Sequence, residues 1–282
     1  NCVGRRPAVS ASTMSMPRAL AAAVADIVAR FATGQLPVFT VPSYPTPPLA
    51  ALPVFLCLGA AAGLLGVAFN MGILTTLHWF ERIPSHLRVA AAAVVGGLAG
   101  LLAWFSPLAV GGGHDLAEEV LAGHFLLAVI PLWFLLRFGL TLISYGTGAP
   151  GGIFAPLLVL GALLGLAIGQ VAARLAPTVV PQPAVFAVVG MAAYFTAIVR
   201  APLTGVVLIV EMTGNYNQML ALLVSCFAAY IVAEGLRNLP IYEALLARDL
   251  LRGGLRPTYT EPIVVDLTIE EGAPFVGQAI KD

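Results

Sequence analysis

Residues 146–156 read Gly-Thr-Gly-Ala-Pro-Gly-Gly-Ile-Phe-Ala-Pro, inside a stretch from Phe138 to Ala173 that holds no Asp, Glu, Lys, Arg or His. An uncharged stretch of that length belongs in a buried or membrane environment, yet the glycine–proline cluster breaks any regular helix running through it. In a bilayer, irregular backbone is tolerated only where protein covers it or where it lines a polar cavity. A helix restarting after the break presents N–H groups without intrahelical acceptors, at the positive end of its dipole, and such groups attract anions. The pattern predicts a membrane protein that holds an anion at a broken helix.

Composition supports a membrane chain. Hydrophobic residues make up 59% and charged residues 10%, against about 25% charged in soluble domains. The formal net charge is zero, so nothing global points to nucleic acid. Cys2, Cys57 and Cys226 are widely spaced, and the last two lie in apolar runs as small hydrophobes. No disulfide, metal site or cofactor is expected from them. The sequence opens on Asn1 without a signal-peptide core and stops at Asp282 inside what reads as a new element, so it is expected to be a piece of a longer protein.

Hydrophobic segments recur along the chain: 19–32, 49–80, 89–104, 125–144, 153–173, 186–199, 203–211, 219–232 and 241–250. Between them, 35–48 is a Pro-rich loop, 81–88 a polar hairpin, and 111–115 a Gly-Gly-Gly-His-Asp break before a short helix over 115–121. The Gly-Gly-Leu-Ala-Gly run at 96–100 suits close helix packing in lipid. Several segments are too short for a full span, as in transporters with broken helices and midplane sites. A soluble all-helical protein is disfavoured, because too many segments are apolar all round. Arg237, Arg248, Arg252 and Arg256 gather late and favour a cytoplasmic C-terminal side. From Pro257 the tail changes to strand-like Ile263-Val264-Val265 and Leu267-Thr268-Ile269, the start of a soluble α/β module.

Three motifs, in this order, resemble the CLC family of chloride channels and proton-coupled anion exchangers. They are GTGAPGGIFAP at 146–156, GMAAYFTAIVRAPLTGVVLIVEMTGNY at 190–216, and LPIYEALLAR at 239–248. The resemblance implies an all-α polytopic membrane fold, the second half of an inverted repeat plus one preceding helix over 15–255. Residues 1–14 do not match, and 256–282 would begin a cytoplasmic regulatory module, RCK-C-like or CBS-like. It also implies transport of chloride or a similar small anion, as a channel or an H+/anion antiporter, in a homodimer in a bacterial inner membrane. Lipid, the anion and protons are its expected partners; no nucleic acid partner and no enzymatic activity are expected.

The expected anion site is Gly152, Ile153, Phe154, Ala155 and Pro156, together with Tyr242. Gly151 and Gly152 let the backbone turn tightly and approach an ion, while Pro156 sits near the first turn, where its missing N–H costs nothing. A backbone site adds no full charge, so the anion can leave. Taken alone, the cluster reads rather as a helix cap buried in protein. Tyr242 matches the family's anion-coordinating tyrosine; taken alone, it reads instead as an interfacial tyrosine at a helix start. Glu211, at the end of its run, reads as solvated. Arg137 and Arg200 read as structural, pairing with carbonyls or an acid on another helix, with Arg200 in a turn before Pro202, and His114 reads as a loop residue. The family's serine loop and gating-glutamate loop are not found in these 282 residues. An unrelated secondary transporter with broken helices and a non-conducting remnant remain the alternatives. A membrane-embedded enzyme lacks any supporting motif.

Overall fold

The computed structural model describes residues 11–252 other than 35, 36, 40, 43, 150 and 181, and side chains over residues 20–251 except 32 and 33 as well. The expected module over 256–282 and residues 1–10 lie outside the described residues. The chain divides into two compact units, Asn1–Ile241 and Tyr242–Asp282. The described part of the second unit is one helix, taken by itself.

The described residues form α1 (Ala11–Thr33), α2 (Leu52–Glu81), α3 (Ser85–Phe105), α4 (His114–Leu121), α5 (Ile130–Gly146), α6 (Phe154–Leu175), α7 (Ala184–Val199), α8 (Pro202–Thr213), α9 (Met219–Gly235) and α10 (Ile241–Arg252). No strand occurs among them. Leu49–Glu81, Ser85–Phe105 and Phe154–Leu175 are long and apolar enough to cross a membrane. α5, α7, α8 and α9 are equally apolar but only 17, 16, 12 and 17 residues long. At about 1.5 Å per residue none of these reaches the roughly 30 Å of a hydrocarbon core.

The core is built around α7, where every residue from Val185 to Ile198 is buried. α6, α2, α9 and α8 pack on it. Close approach depends on glycine, because lipid offers no hydrophobic drive between helices and packing must supply the attraction. A Cβ on Gly161 would sit 2.5 Å from the Gly190 carbonyl oxygen and 2.7 Å from Met191 Cα. One on Gly165 would run into the Phe186 carbonyl. α6 and α7 therefore touch backbone to backbone.

Some expected boundaries move. The polar hairpin at 81–88 shrinks to a short break, because Pro84 can start a helix and α3 already begins at Ser85. The Arg88 guanidinium donates back to the Glu81 and Ile83 carbonyls at 2.7 and 2.9 Å and closes the turn. α5 starts at Ile130 rather than near 125, with Pro131 in its first turn. The close packing expected at Gly96, Gly97 and Gly100 is not made among the described residues: α3 has no buried residue, and a Cβ on any of the three meets nothing within 4 Å. The Pro-rich loop before α2 crosses the helix ends. There the Tyr44 hydroxyl donates to the Leu121 carbonyl at 2.9 Å, and Asn217 and Gln218 donate to the carbonyls of Tyr44 and Pro45.

Candidate functional site

α5 ends at Gly146, and the chain turns at Gly148, whose φ is +76°. The expectation placed that turn at Gly151 and Gly152. Neither has a positive φ, so the left-handed step that only glycine takes easily falls three residues earlier. What glycine provides at 152 is room: a Cβ there would meet nothing within 4 Å, and one on Gly151 only the Ala149 carbonyl at 3.9 Å.

α6 then starts at Phe154, with Ile153 as its N-cap and no side chain capping it. Its first backbone hydrogen bond runs from Leu157 N–H to the Ile153 carbonyl at 3.1 Å. The N–H groups of Phe154 and Ala155 precede that bond and have no intrahelical acceptor. Pro156 has no N–H to leave unpaired, which fits its place in the first turn. Ile153 is buried, Phe154 and Pro156 are half-buried, and Gly152 and Ala155 are exposed. The Phe154 ring stands edge-on to Phe195 of α7, with centroids 5.8 Å apart, and this fixes the first turn against the central helix. The five residues Gly152–Pro156 thus share one helix start.

A cavity of about 250 Å³ opens beside this start. Gly151, Gly152, Ile153 and Pro156 line one wall; Arg137, Thr141 and Ser144 of α5 line another. These three fall at i, i+4 and i+7, so the helical period puts them on one face. Arg137 is 4% exposed, and it gives Nη1 to the Gly111 carbonyl at 2.8 Å and Nη2 to the carbonyls of Val110 and Leu108 at 3.0 and 3.1 Å. Its Nε has no partner. A buried guanidinium therefore holds the glycine turn before α4 and leaves net positive charge at the cavity edge. Carbonyl dipoles compensate part of that charge. No cluster of three metal-ligating side chains exists among the described residues.

The remaining candidates fall elsewhere. Tyr242 is the second residue of α10, in the other unit, and is 51% exposed. Arg200 caps α7 in a left-handed conformation, φ 65°, and pairs with carbonyls and with Glu234, as its structural reading requires. Glu211 is exposed near the end of α8, with the Tyr216 hydroxyl 3.5 Å away. His114 is not a loop residue but the first residue of α4, because Gly113 at φ +84° turns the chain directly into the helix. The residue that sequence reasoning missed is Asn70, fully buried in α2. The signal was available: it is the one asparagine in a 30-residue apolar helix, and a polar side chain there is costly unless it is paired.

Residues 8–234 match the family model described as voltage gated chloride channel. The H(+)/Cl(-) exchange transporter ClcA of Vibrio parahaemolyticus is 42% identical over 255 residues, 89% of this chain and 55% of that protein. ClcA of Salmonella paratyphi A is 39% identical over 232 residues, 81% of this chain and 49% of that protein. The chain thus spans about half the length of the curated relatives it matches. Among solved structures, a slow cyanobacterial Cl-/H+ antiporter superposes with a TM-score of 0.77 at 38% identity, over 81% of this chain and 54% of that one. A CLC-type fluoride/proton antiporter shares the fold alone, with a TM-score of 0.64 at 19% identity over 78% of this chain and 53% of that one.

Proposed function

The chain belongs to the voltage-gated chloride channel family and is an integral membrane protein, and from that premise we propose that it contributes a central anion-binding position to a chloride transport pathway. The anion accepts hydrogen bonds from the backbone N–H groups at the start of α6, over Gly152, Ile153, Phe154 and Ala155, and from the hydroxyl of Tyr242. The observation that carries this reading is the uncapped start of α6, opening on a cavity edged by the buried Arg137. Neutral donors at a helix start stabilise an anion while leaving it free to depart, which transport requires. Relatives named as H(+)/Cl(-) exchangers make proton-coupled exchange the mode we favour over a channel. Leu203 and Val207 of α8 and Leu220, Phe227 and Ile231 of α9 are exposed apolar residues. They suit a second copy in a homodimer as well as lipid. The late arginines favour a cytoplasmic C-terminal side in a bacterial inner membrane.

The direct test removes one donor and nothing else. Replacing the Phe154 amide by an ester in the full encoded chain deletes its N–H and keeps the ring. A hydrogen bond to a charged group is worth about 1.5–3 kcal/mol, so chloride affinity measured by calorimetry should fall roughly tenfold to a hundredfold. Tyr242→Phe should weaken binding in the same assay. Unchanged affinity in the ester variant would remove α6 from the site, and unchanged affinity in Tyr242→Phe would remove the phenol.

A further inference from the structure

α2 and α3 lie in segments long and apolar enough to cross a membrane, and only Arg82, Ile83 and Pro84 separate them. Their joint therefore lies at the edge of the bilayer. α3 has 21 residues. At 1.5 Å each they span about 31 Å, which matches a hydrocarbon core of roughly 30 Å. An exposed tryptophan marks each limit, Trp79 at the joint and Trp104 at the far end of α3. Tryptophans gather at the level of the lipid headgroups, which sets the joint in that layer.

The joint is basic. Arg82, His86 and Arg88 are exposed, and His78 stands one turn back along α2, with its Nε2 3.2 Å from Arg82 Nη2. Arg88 donates Nη2 and Nε to the carbonyls of Glu81 and Ile83, which holds its guanidinium over the joint and leaves Nη1 to a further acceptor. Glu81 is the one acid between residues 78 and 88, and its Oε2 lies 3.9 Å from His78 Nδ1. Helix starts favour acids over cations, yet the first turn of α3 holds no acid and carries His86 and Arg88.

The two ends of the first unit also differ in charge. Arg200, at the end of α7, donates to the carbonyls of Ala233 and Asn238 at the end of α9, and Asn70 in the second half of α2 reaches both Ile198 and Asn238. The ends of α2, α7 and α9 therefore share one side. There Arg82, Arg88, Arg200 and Arg237 outnumber Glu81 and Glu234. On the opposite side the Pro-rich loop meets α4 and the α8–α9 corner, and the end of α6 meets the start of α7. There Asp115, Glu118, Glu119 and Glu211 outnumber Arg174. Arginines collect on the cytoplasmic side of membrane proteins, and the cytoplasmic leaflet carries anionic lipid that attracts them.

We propose that the α2–α3 joint binds the headgroup of an anionic phospholipid, with the guanidinium groups of Arg82 and Arg88 on its phosphate and Trp79 beside its upper chain. The charge calls for an anion. The depth calls for a lipid, because the cations stand between two membrane-crossing segments and next to an exposed indole. The inference does not depend on the anion position at the start of α6.

The experiment measures lipid binding to the full encoded chain in detergent by native mass spectrometry. Phosphatidylglycerol is titrated against phosphatidylcholine with the same acyl chains. The parent should prefer phosphatidylglycerol, and Arg82→Gln should cut that preference about fivefold, the change for one cation near a charged lipid surface. Arg82→Lys keeps the charge and should keep most of the preference. Ser85→Glu adds an exposed carboxylate at the start of α3, where an acid suits the helix, so it should fold and should still lower the preference. Arg174→Gln, on the opposite side, should leave it unchanged. A parent without preference overturns the inference, as do Arg82→Gln and Ser85→Glu variants that bind like the parent. A loss in Arg174→Gln as large as in Arg82→Gln overturns it too, since the attraction would then belong to the whole surface. If inorganic phosphate displaces the phosphatidylglycerol, the joint recognises a free phosphate and the lipid assignment is overturned.

Discussion

Gly165→Ala and Gly97→Ala make the same chemical change in the middle of two apolar helices, and the structure predicts opposite signs. On α6, a Cβ at position 165 would run into the Phe186 carbonyl, 2.6 Å from that residue's carbonyl carbon and 2.9 Å from Ala187 Cα. All of these are backbone atoms of α7, so no rotamer change relieves the contact. The helices must separate by several tenths of an ångström, and the close contacts at Gly161 and Gly190 loosen with them. Overpacking of this kind costs about 1–3 kcal/mol, and a backbone obstacle argues for the upper end. The better helix propensity of alanine returns about 1 kcal/mol, which leaves a net loss of about 2 kcal/mol. On soluble-domain scaling that lowers an apparent melting temperature by about 4–8 °C. On α3, a Cβ at position 97 meets nothing within 4 Å, so only the propensity gain acts and the variant should melt at or slightly above the parent. The assay is thermal unfolding of both purified variants in one detergent at one scan rate, since membrane-protein melting is often irreversible and rate-dependent. The reasoning is refuted if Gly165→Ala melts no lower than the parent, or if Gly97→Ala loses more than Gly165→Ala.

Arg137→Met should leave the carbonyls of Leu108, Val110 and Gly111 unpaired and cost about 2–4 kcal/mol in the same unfolding assay; Arg137→Lys, which cannot reach three carbonyls with a planar fork, should recover only part of it. Ser225→Ala removes the buried Oγ–H donated to the Phe55 carbonyl at 2.7 Å, but that carbonyl belongs to a helix, and hydrogen bonds between membrane helices average about 0.6 kcal/mol. A melting shift under about 3 °C is expected. Burial holds the Tyr44 phenol above its usual value. Its neutral form is favoured in the folded state, so the contribution is complete below the unfolded value of about 10 and lost as pH rises beyond it. Tyr44→Phe should lower stability by about 1 kcal/mol near neutrality and flatten the alkaline loss, read from melting temperatures between pH 7 and 11.

The environment of the chain and its helix inventory were legible before any fold was known, because both depend on local composition. Uncharged runs of apolar residues demand lipid or core, and the Gly-Thr-Gly-Ala-Pro-Gly-Gly cluster must interrupt a helix wherever it lies. The start of α6 at Phe154 was legible for that reason, within one residue. The carbonyl-paired roles of Arg137 and Arg200 were legible too, since a buried guanidinium has few other options. Other features exist only in the packed molecule. Which glycine makes the turn depends on backbone angles that the linear pattern leaves open among Gly146, Gly148, Gly151 and Gly152, and the answer was Gly148. That Gly161 and Gly165 are contacts while Gly96 and Gly97 are open depends on which helix lies opposite, and identical residues give no hint of their neighbours. The pairing of Asn70 with residues 168 and 169 positions away is likewise invisible in a linear pattern, because it exists only once α2, α7 and α9 have packed. Composition fixes what a segment must avoid; only packing in three dimensions fixes what it meets.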